Sequence, residues 1–281
     1  DDTWNMSPKA LEEAIENCLS GKYGEAKLPK AIIPVHLYGM PGDMDAIMII
    51  ANTHDIPVIE DAAESLGSTY DGKHTGTFGK MGIYSFNGNK IITTSGGGAL
   101  VSEDAELIQK ARFLATQARD NAPHYQHSHV GYNYRLGNVL AGIGRGQMQV
   151  LDERIAQRRA NFNRYKDYFS EVNKKGFNVT FQEEPEGSFS NRWLTCILVN
   201  PSENKGISRE DIRLALEKEN VESRPLWKPM HMQPVFEKYP FVSTGVSERL
   251  FNVGLCLPSG SNLNKEDFKR IFGGLDLIFG G

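Results

Sequence analysis

PVIEDAAES, residues 57–65, is an apolar run that ends on acids, and GIYSF, residues 82–86, is a second run that opens onto NGNKIITTSGGG. Short apolar runs bounded by turn residues read as buried strands. Working outward, AIIPVHLYG (31–39) gives another strand, closed by Gly39 and a Pro41-Gly42 turn, and GALVSE (98–103) a further one. Asp43 caps a helix in which Met44, Ile47 and Ile50 recur at helical spacing, and Asp104 opens a helix that runs to about Ala118. Strands alternating with helices predict an α/β fold built on a mostly parallel sheet covered on both faces.

The second half reads differently. From Leu136 to about Val172 the pattern is helical, with Leu140, Ile143, Met148, Leu151 and Ile155 recurring along it. Gly142, Gly144 and Gly146 weaken that helix intrinsically, so close packing is expected there. FNVTF, RWLTCILV, a helix around Arg209–Glu219, VESRP, GLCLP and a last helix from Lys265 make a smaller α+β unit. The expected division is 1–150 for a large domain and 151–281 for a linking helix with the small domain. At the front, DDTWNMSPKALEEAIENCLSG has no initiator methionine and enters a helix capped by Ser7, with Pro8 in its first position.

Composition excludes several classes. The chain has 281 residues, 31 basic against 35 acidic, a net charge of −4, and no basic run to meet nucleic acid. Its apolar stretches, such as AIMIIA (46–51), are too short to span a bilayer. No secretory signal is visible. Cys18, Cys196 and Cys256 are far apart in sequence and odd in number, which points to a reducing compartment without a disulfide framework. The cytoplasm is the expected location.

The chemistry gathers around one lysine. Lys90 follows a strand and stands between SFNGN and the glycines of TTSGGG. Asn89 and Ile91 flank it, where a phosphate-binding P-loop needs glycine before and Ser or Thr after. GIGRGQ (142–147) fails the dinucleotide pattern, with glutamine in place of the third glycine. A lysine enclosed in a tight turn has a lowered pKa and becomes a nucleophile toward a carbonyl. Glu60 and Asp61 arrive at the carboxyl end of a strand, where open α/β sheets bind their ligands. An amine, a carboxylate and a hydroxyl from Lys90, Asp61 and Ser85 fit pyridoxal 5'-phosphate. That cofactor needs a lysine for its aldehyde, an acid for its pyridine nitrogen, and small donors for its phosphate.

IPVHLYG, VIEDAAES, GIYSFNGNKIITTSGGG, VGYNYRL and SRPLWKPMHMQPVF, in this order, resemble the DegT/DnrJ/EryC1/StrS family of sugar aminotransferases, over nearly the whole chain. The resemblance implies a fold-type I, pyridoxal phosphate-dependent transferase. Lys90 would bond the cofactor and move the substrate proton, and Asp61 would pair with the pyridinium. Glu64 stands where the family often has glutamine or histidine near the ring hydroxyl. Ser85 and Asn87 would supply donors to the cofactor, and Asn133, in GYNYR, would reach the phosphate of a partner subunit, which implies a homodimer with shared sites. A histidine in place of the lysine marks the family's dehydratase branch, so Lys90 favours transamination.

The implied reaction moves an amino group from an amino acid, with L-glutamate the expected donor, to a nucleotide-linked keto-deoxy sugar made for surface polysaccharide or glycans. Arg224, Trp227, Lys228 and His231, in RPLWKPMH, are the expected substrate contacts. HYQHSH (124–129) has three histidines but no acid among them and falls where the family has a variable loop, so no metal is expected. Family members carry a further N-terminal part of the large domain, on the order of 100 residues. That part holds a turn gripping the phosphate and an aromatic stacking on the ring, and neither is found in this sequence. The alternative is therefore a non-catalytic binding or assembly remnant of the same fold.

Overall fold

The computed structural model describes residues 3–280; Asp1 and Asp2, which head the N-terminal stretch, and Gly281, the last residue of the expected second unit, lie outside them. Helix α1 (Pro8–Leu19) starts at Ser7, whose hydroxyl accepts from the Ala10 amide, with Pro8 in the position where its missing N–H costs nothing. Helix α2 (Met44–Thr53) is capped by Asp43 in the same manner. Leu11 and Ile15 of α1 pack with Met44, Ile47 and Ile50 of α2 over Ile32, Ile56 and Val58.

The first sheet is short in its regular strands. β1 (Ile59–Asp61) precedes a small ribbon of β2 (Thr69–Tyr70) and β3 (Lys73–His74), then come β4 (Met81–Ser85) and β5 (Gly98–Val101). β1 and β4 are parallel, with Asp61 opposite Ile83. The segment expected as a strand at 31–39 contributes only isolated parallel bridges, Ile32 to Val58 just before β1 and Val35 to Asp61 within it. Pro34 has no N–H to donate, although its carbonyl accepts from Asp61. β5 departs from the expected pattern, because it returns from β4 through the lysine turn and pairs antiparallel. Ile83 and Leu100 remain exposed on this sheet.

Helix α3 (Ala105–Ala115) is capped by Asp104 as the sequence suggests. The long helical stretch divides into α4 (Asn138–Met148) and α5 (Leu151–Lys174). Close packing at its glycines holds for one of three: a Cβ on Gly144 would meet Thr94, whereas Gly142 and Gly146 face open space. Neither α3 nor α4 contains a buried residue, while α5 buries Ile155, Phe162, Tyr165, Phe169 and Val172.

β6 (Val179–Phe181), β7 (Ser188–Phe189) and β8 (Thr195–Val199) follow, then α6 (Arg209–Lys218), β9 (Arg224–Pro225), α7 (Val246–Val253), β10 (Gly254–Leu257) and α8 (Lys265–Phe279). The order β6-β8-β10-β9 forms an antiparallel sheet. Its buried face packs on α5, α6 and α8 through Tyr165, Phe169, Ile212, Leu216, Phe268 and Leu275. β7 crosses back to pair with β2, tying the two halves of the chain together. Cys196 and Cys256, distant in sequence, face each other across β8 and β10 as free thiols with sulfurs 3.7 Å apart. Among the described residues, no helix is long and apolar enough to cross a membrane.

Candidate active site

Parallel pairing of β1 with β4 brings the acid-bearing turn and the lysine turn to the same edge of the sheet. Neighbours on a strand point to opposite faces, so Glu60 and Asp61 cannot share a task. Glu60 is fully buried. Its carboxylate accepts from His36 Nε2 at 3.0 Å and from the amides of Gly76, Phe78 and Gly79 at 2.6, 2.6 and 2.7 Å. Burial pushes this carboxyl up, but His36 and the amides outweigh it and hold it below the ordinary range. His36 Nδ1 accepts from Gly42, which leaves Nε2 as the N–H donor. Gly82 permits the arrangement, since a Cβ there would collide with the Gly76 backbone. Glu60 and His36 are thus structural.

Asp61 faces the other way. With Glu64, Tyr38, Leu226, Trp227 and Lys228 it lines a cavity of about 450 Å³. Glu64 Oε2 accepts from the Tyr38 amide at 2.6 Å, and its Oε1 lies 4.0 Å from Lys90 Nζ. The side chains of Lys90 and Glu64 are 13% and 9% exposed, so this contact is little screened by water. Burial pulls the Lys90 amine below the ordinary lysine value, opposed by Glu64 and Asp61. Burial pushes Glu64 up to about 7, against the Tyr38 amide and Lys90. A lysine depressed by enclosure beside a carboxyl that titrates near neutrality suits an amine that must both attack and exchange protons.

That titration has a sign. Folding raises the Glu64 pKa from 4.5 to about 7, so the stability it confers is full below 4.5 and lost as pH rises through 7. The loss is on the order of 3 kcal/mol. Glu64→Gln is expected to flatten the decline in unfolding free energy between about pH 5 and pH 8, measured by urea titration. An unchanged slope would mean that the carboxyl titrates as if exposed.

The remaining expected residues divide. Ser85 and Asn87 build the turn before the lysine: Ser85 Oγ accepts from the Asn87 amide at 3.4 Å, and the Asn87 carbonyl accepts from the Lys90 amide at 3.1 Å. Trp227 stacks obliquely on Tyr38, ring centroids 4.6 Å apart, and its amide donates to the Tyr38 hydroxyl at 2.9 Å. Arg224 is exposed and paired with Glu222, although it borders a second cavity of about 830 Å³ that Trp227 shares. His231 is bonded to Glu248 at 2.8 Å and stacked on Phe241. Asn133 is exposed and bridges to Thr116. Of the loop histidines, His127 bonds the Gln117 carbonyl and His124 the Gln126 side chain.

Sequence reasoning missed three residues here. Tyr38 takes a left-handed conformation, φ 57°, that aims its amide at Glu64. Asn191 bonds the Glu64 and Leu66 carbonyls through its side chain at 2.8 and 3.0 Å. Trp193 places its ring 4.3 Å from Lys90 Nζ. The local signal was slight: Trp193 stands at the mouth of the RWLTCILV run, which reads simply as a strand.

The donor set fits pyridoxal phosphate in part. An enclosed amine, a facing carboxylate with free acceptor capacity and a serine at the strand end are the groups that cofactor requires. Among the described residues, the Asp61 carboxylate accepts only from its own turn, at the Ala63 amide, which leaves it able to meet a cationic ring nitrogen.

A model of the DegT/DnrJ/EryC1/StrS aminotransferase family matches residues 1–276. The putative pyridoxal phosphate-dependent aminotransferase EpsN of Bacillus subtilis is 53% identical over 274 residues, which are 96% of this chain and 68% of the relative. A GDP-perosamine synthase of Caulobacter vibrioides is 36% identical over 252 residues, 89% of this chain and 66% of the relative. The crystal structure of a DegT DnrJ EryC1 StrS aminotransferase from Brucella abortus superposes with a TM-score of 0.86 at 28% identity, covering 100% of this chain and 72% of that one. The chain therefore spans about two thirds of the length of the curated relatives it matches.

Proposed function

Because this chain belongs to the DegT/DnrJ/EryC1/StrS aminotransferase family, whose cofactor is pyridoxal phosphate, we propose that it serves a sugar aminotransferase. The reaction carries an amino group from an amino acid, L-glutamate in this reading, to the ketone of a nucleotide-linked deoxy sugar. The observation that carries it is the enclosed Lys90 amine, 4.0 Å from Glu64 and on the same sheet edge as Asp61. The printed name of the Caulobacter relative, a GDP-perosamine synthase, supports a sugar nucleotide as the acceptor.

When bound, pyridoxal phosphate supplies an aldehyde for amines and a protonated ring that draws electrons from the substrate α-carbon. The chain's own residues do the rest. Lys90 would hold the cofactor through its neutral amine, which its depressed pKa makes available. The same amine would take the proton from the donor α-carbon and supply one on the sugar side. Asp61 holds a proton on the pyridine nitrogen by its charge. Glu64, half protonated near neutrality, donates a hydrogen bond toward the ring hydroxyl, as a glutamine would. Ser85 and Asn87 offer donors to the phosphate. Trp227 and Lys228, which line the cavity with Asp61, border the sugar, with Arg224 and His231 further out.

Asn133 acts in a second copy's site in this reading, which makes the working unit a homodimer in the cytoplasm. Exposed Val130, Tyr134, Val139 and Ile143, on its loop and on α4, support a protein partner there. The break between α4 and α5 supports a division into 1–150 and 151–281.

Incubation of the full-length protein with pyridoxal phosphate, borohydride reduction and peptide mapping is expected to leave a pyridoxyl group on Lys90. With L-glutamate and a panel of GDP-, UDP- and dTDP-linked keto sugars, an amino sugar is expected as product. An unmodified Lys90 would instead favour the non-catalytic remnant.

A further inference from the structure

We propose that Trp193 is a positioning residue for Lys90, reaching from the C-terminal half of the chain to fix the lysine turn against the acid-bearing turn. The inference rests on Lys90 being the cofactor lysine. Trp193 is 2% exposed and grips the turn twice. Its indole Nε1 donates to the Asn89 carbonyl at 2.8 Å across 104 residues of sequence, and its ring faces the Lys90 ammonium at 4.3 Å. The same segment holds the opposing turn. The Trp193 amide donates to Asn191 Oδ1 at 2.8 Å, and the Asn191 amide group donates to the Glu64 and Leu66 carbonyls. The Asn191 main-chain amide also donates to Ser68 Oγ at 2.9 Å.

One short segment thus sets the separation between Lys90 and Glu64. Tryptophan suits the position because it pairs a wide aromatic face with a single N–H donor. Gly39 makes room for Asn191, since a Cβ there would run into the Asn191 side chain. Arg192, between the two gripping residues, adopts the left-handed φ of 49° that swings them toward different turns. Its guanidinium is anchored on the Gln182 carbonyl and Glu184, which keeps the turn in place. The groups facing the Lys90 amine are therefore Glu64 and Asp61 from the acid turn and the Trp193 ring from the β8 approach.

The test uses the full-length protein and two readouts. The first is the titration of Lys90 before cofactor is added, followed by NMR on isotope-labelled lysine and assigned with Lys90→Arg. The second is the rate of pyridoxal phosphate capture, trapped with borohydride and read on the plateau above the Lys90 midpoint. Trp193→Leu is expected to lower the midpoint by about half to one unit, because the ammonium loses its aromatic face. It is also expected to slow plateau capture about ten-fold as the turn loses its geometry. Trp193→Phe keeps the ring and loses the N–H. Its midpoint is expected to stay within about 0.3 unit of the wild type while capture slows about three-fold or more.

Wild-type titration and wild-type capture in both variants would overturn the proposal. If Trp193→Leu does not fold, Trp193→Phe decides, and unchanged capture overturns it. Should the wild type itself capture no cofactor, the aminotransferase reading falls. The Lys90 midpoint then decides on Trp193 by itself: a shifted midpoint supports its role and an unshifted one ends it.

Discussion

Replacing Lys90 with alanine is expected to lower transamination by at least about a thousand-fold, because both the nucleophile and the proton carrier leave with one side chain. Lys90→Arg is expected to fail as completely. A guanidinium stays protonated at any working pH and cannot attack a carbonyl. Neither change should unfold the protein, since the amine contributes its contacts to Glu64 and Trp193 at the cost of its own burial. With alanine at 90, the Glu64 carboxyl loses the cation that lowers its pKa and titrates higher still, a shift visible by NMR. Steady-state rates with an amino donor and a keto sugar, alongside thermal melting, check both halves. Residual activity within ten-fold of wild type would mean that another group performs the chemistry.

The sequence made this lysine legible for a simple reason. Strand-end acids and a glycine-bounded lysine lie close together in the chain, on short β-rich runs, and it is the fold that pairs those runs in parallel. Asp61, Ser85 and Lys90 could be joined without knowing the rest of the fold. What escaped was everything that arrives from far along the chain. Asn191 and Trp193 act across more than a hundred residues, and nothing local to RWLTCILV distinguishes a strand entry from a clamp. The antiparallel return of β5 escaped as well, since an apolar run records burial and not direction. Two of the three glycines in α4 show the opposite failure. Their low helix propensity invited a packing explanation, yet they face open space on a helix with no buried residue.

The paired acids show where elementary geometry carries further than residue type. Glu60 and Asp61 are chemically similar neighbours, and strand alternation sends them to opposite faces. Glu60→Ala is expected to cost about 3–5 kcal/mol, because it leaves the Gly76, Phe78 and Gly79 amides and the His36 N–H without their acceptor. Against a typical total of about 5–15 kcal/mol, that loss should lower the melting temperature severely and loosen the turn at 76–79. Glu60→Gln should recover little, since its amide group turns a donor toward amides that are themselves donors. The Glu60 pKa is held low in the fold, so the stability it brings is present above the ordinary carboxylate pKa and lost as pH falls through the depressed one. Asp61→Asn should do the reverse. Its carboxylate accepts from the Ala63 amide alone among the described residues, so unfolding free energy should change by less than about 1 kcal/mol while turnover collapses with the charge opposite the pyridine nitrogen. Denaturant titration and steady-state kinetics on the two variants, side by side, separate these outcomes. A Glu60→Ala protein that melts like wild type would show that the buried carboxylate does not hold the turn, and an active Asp61→Asn would remove the acid from the chemistry.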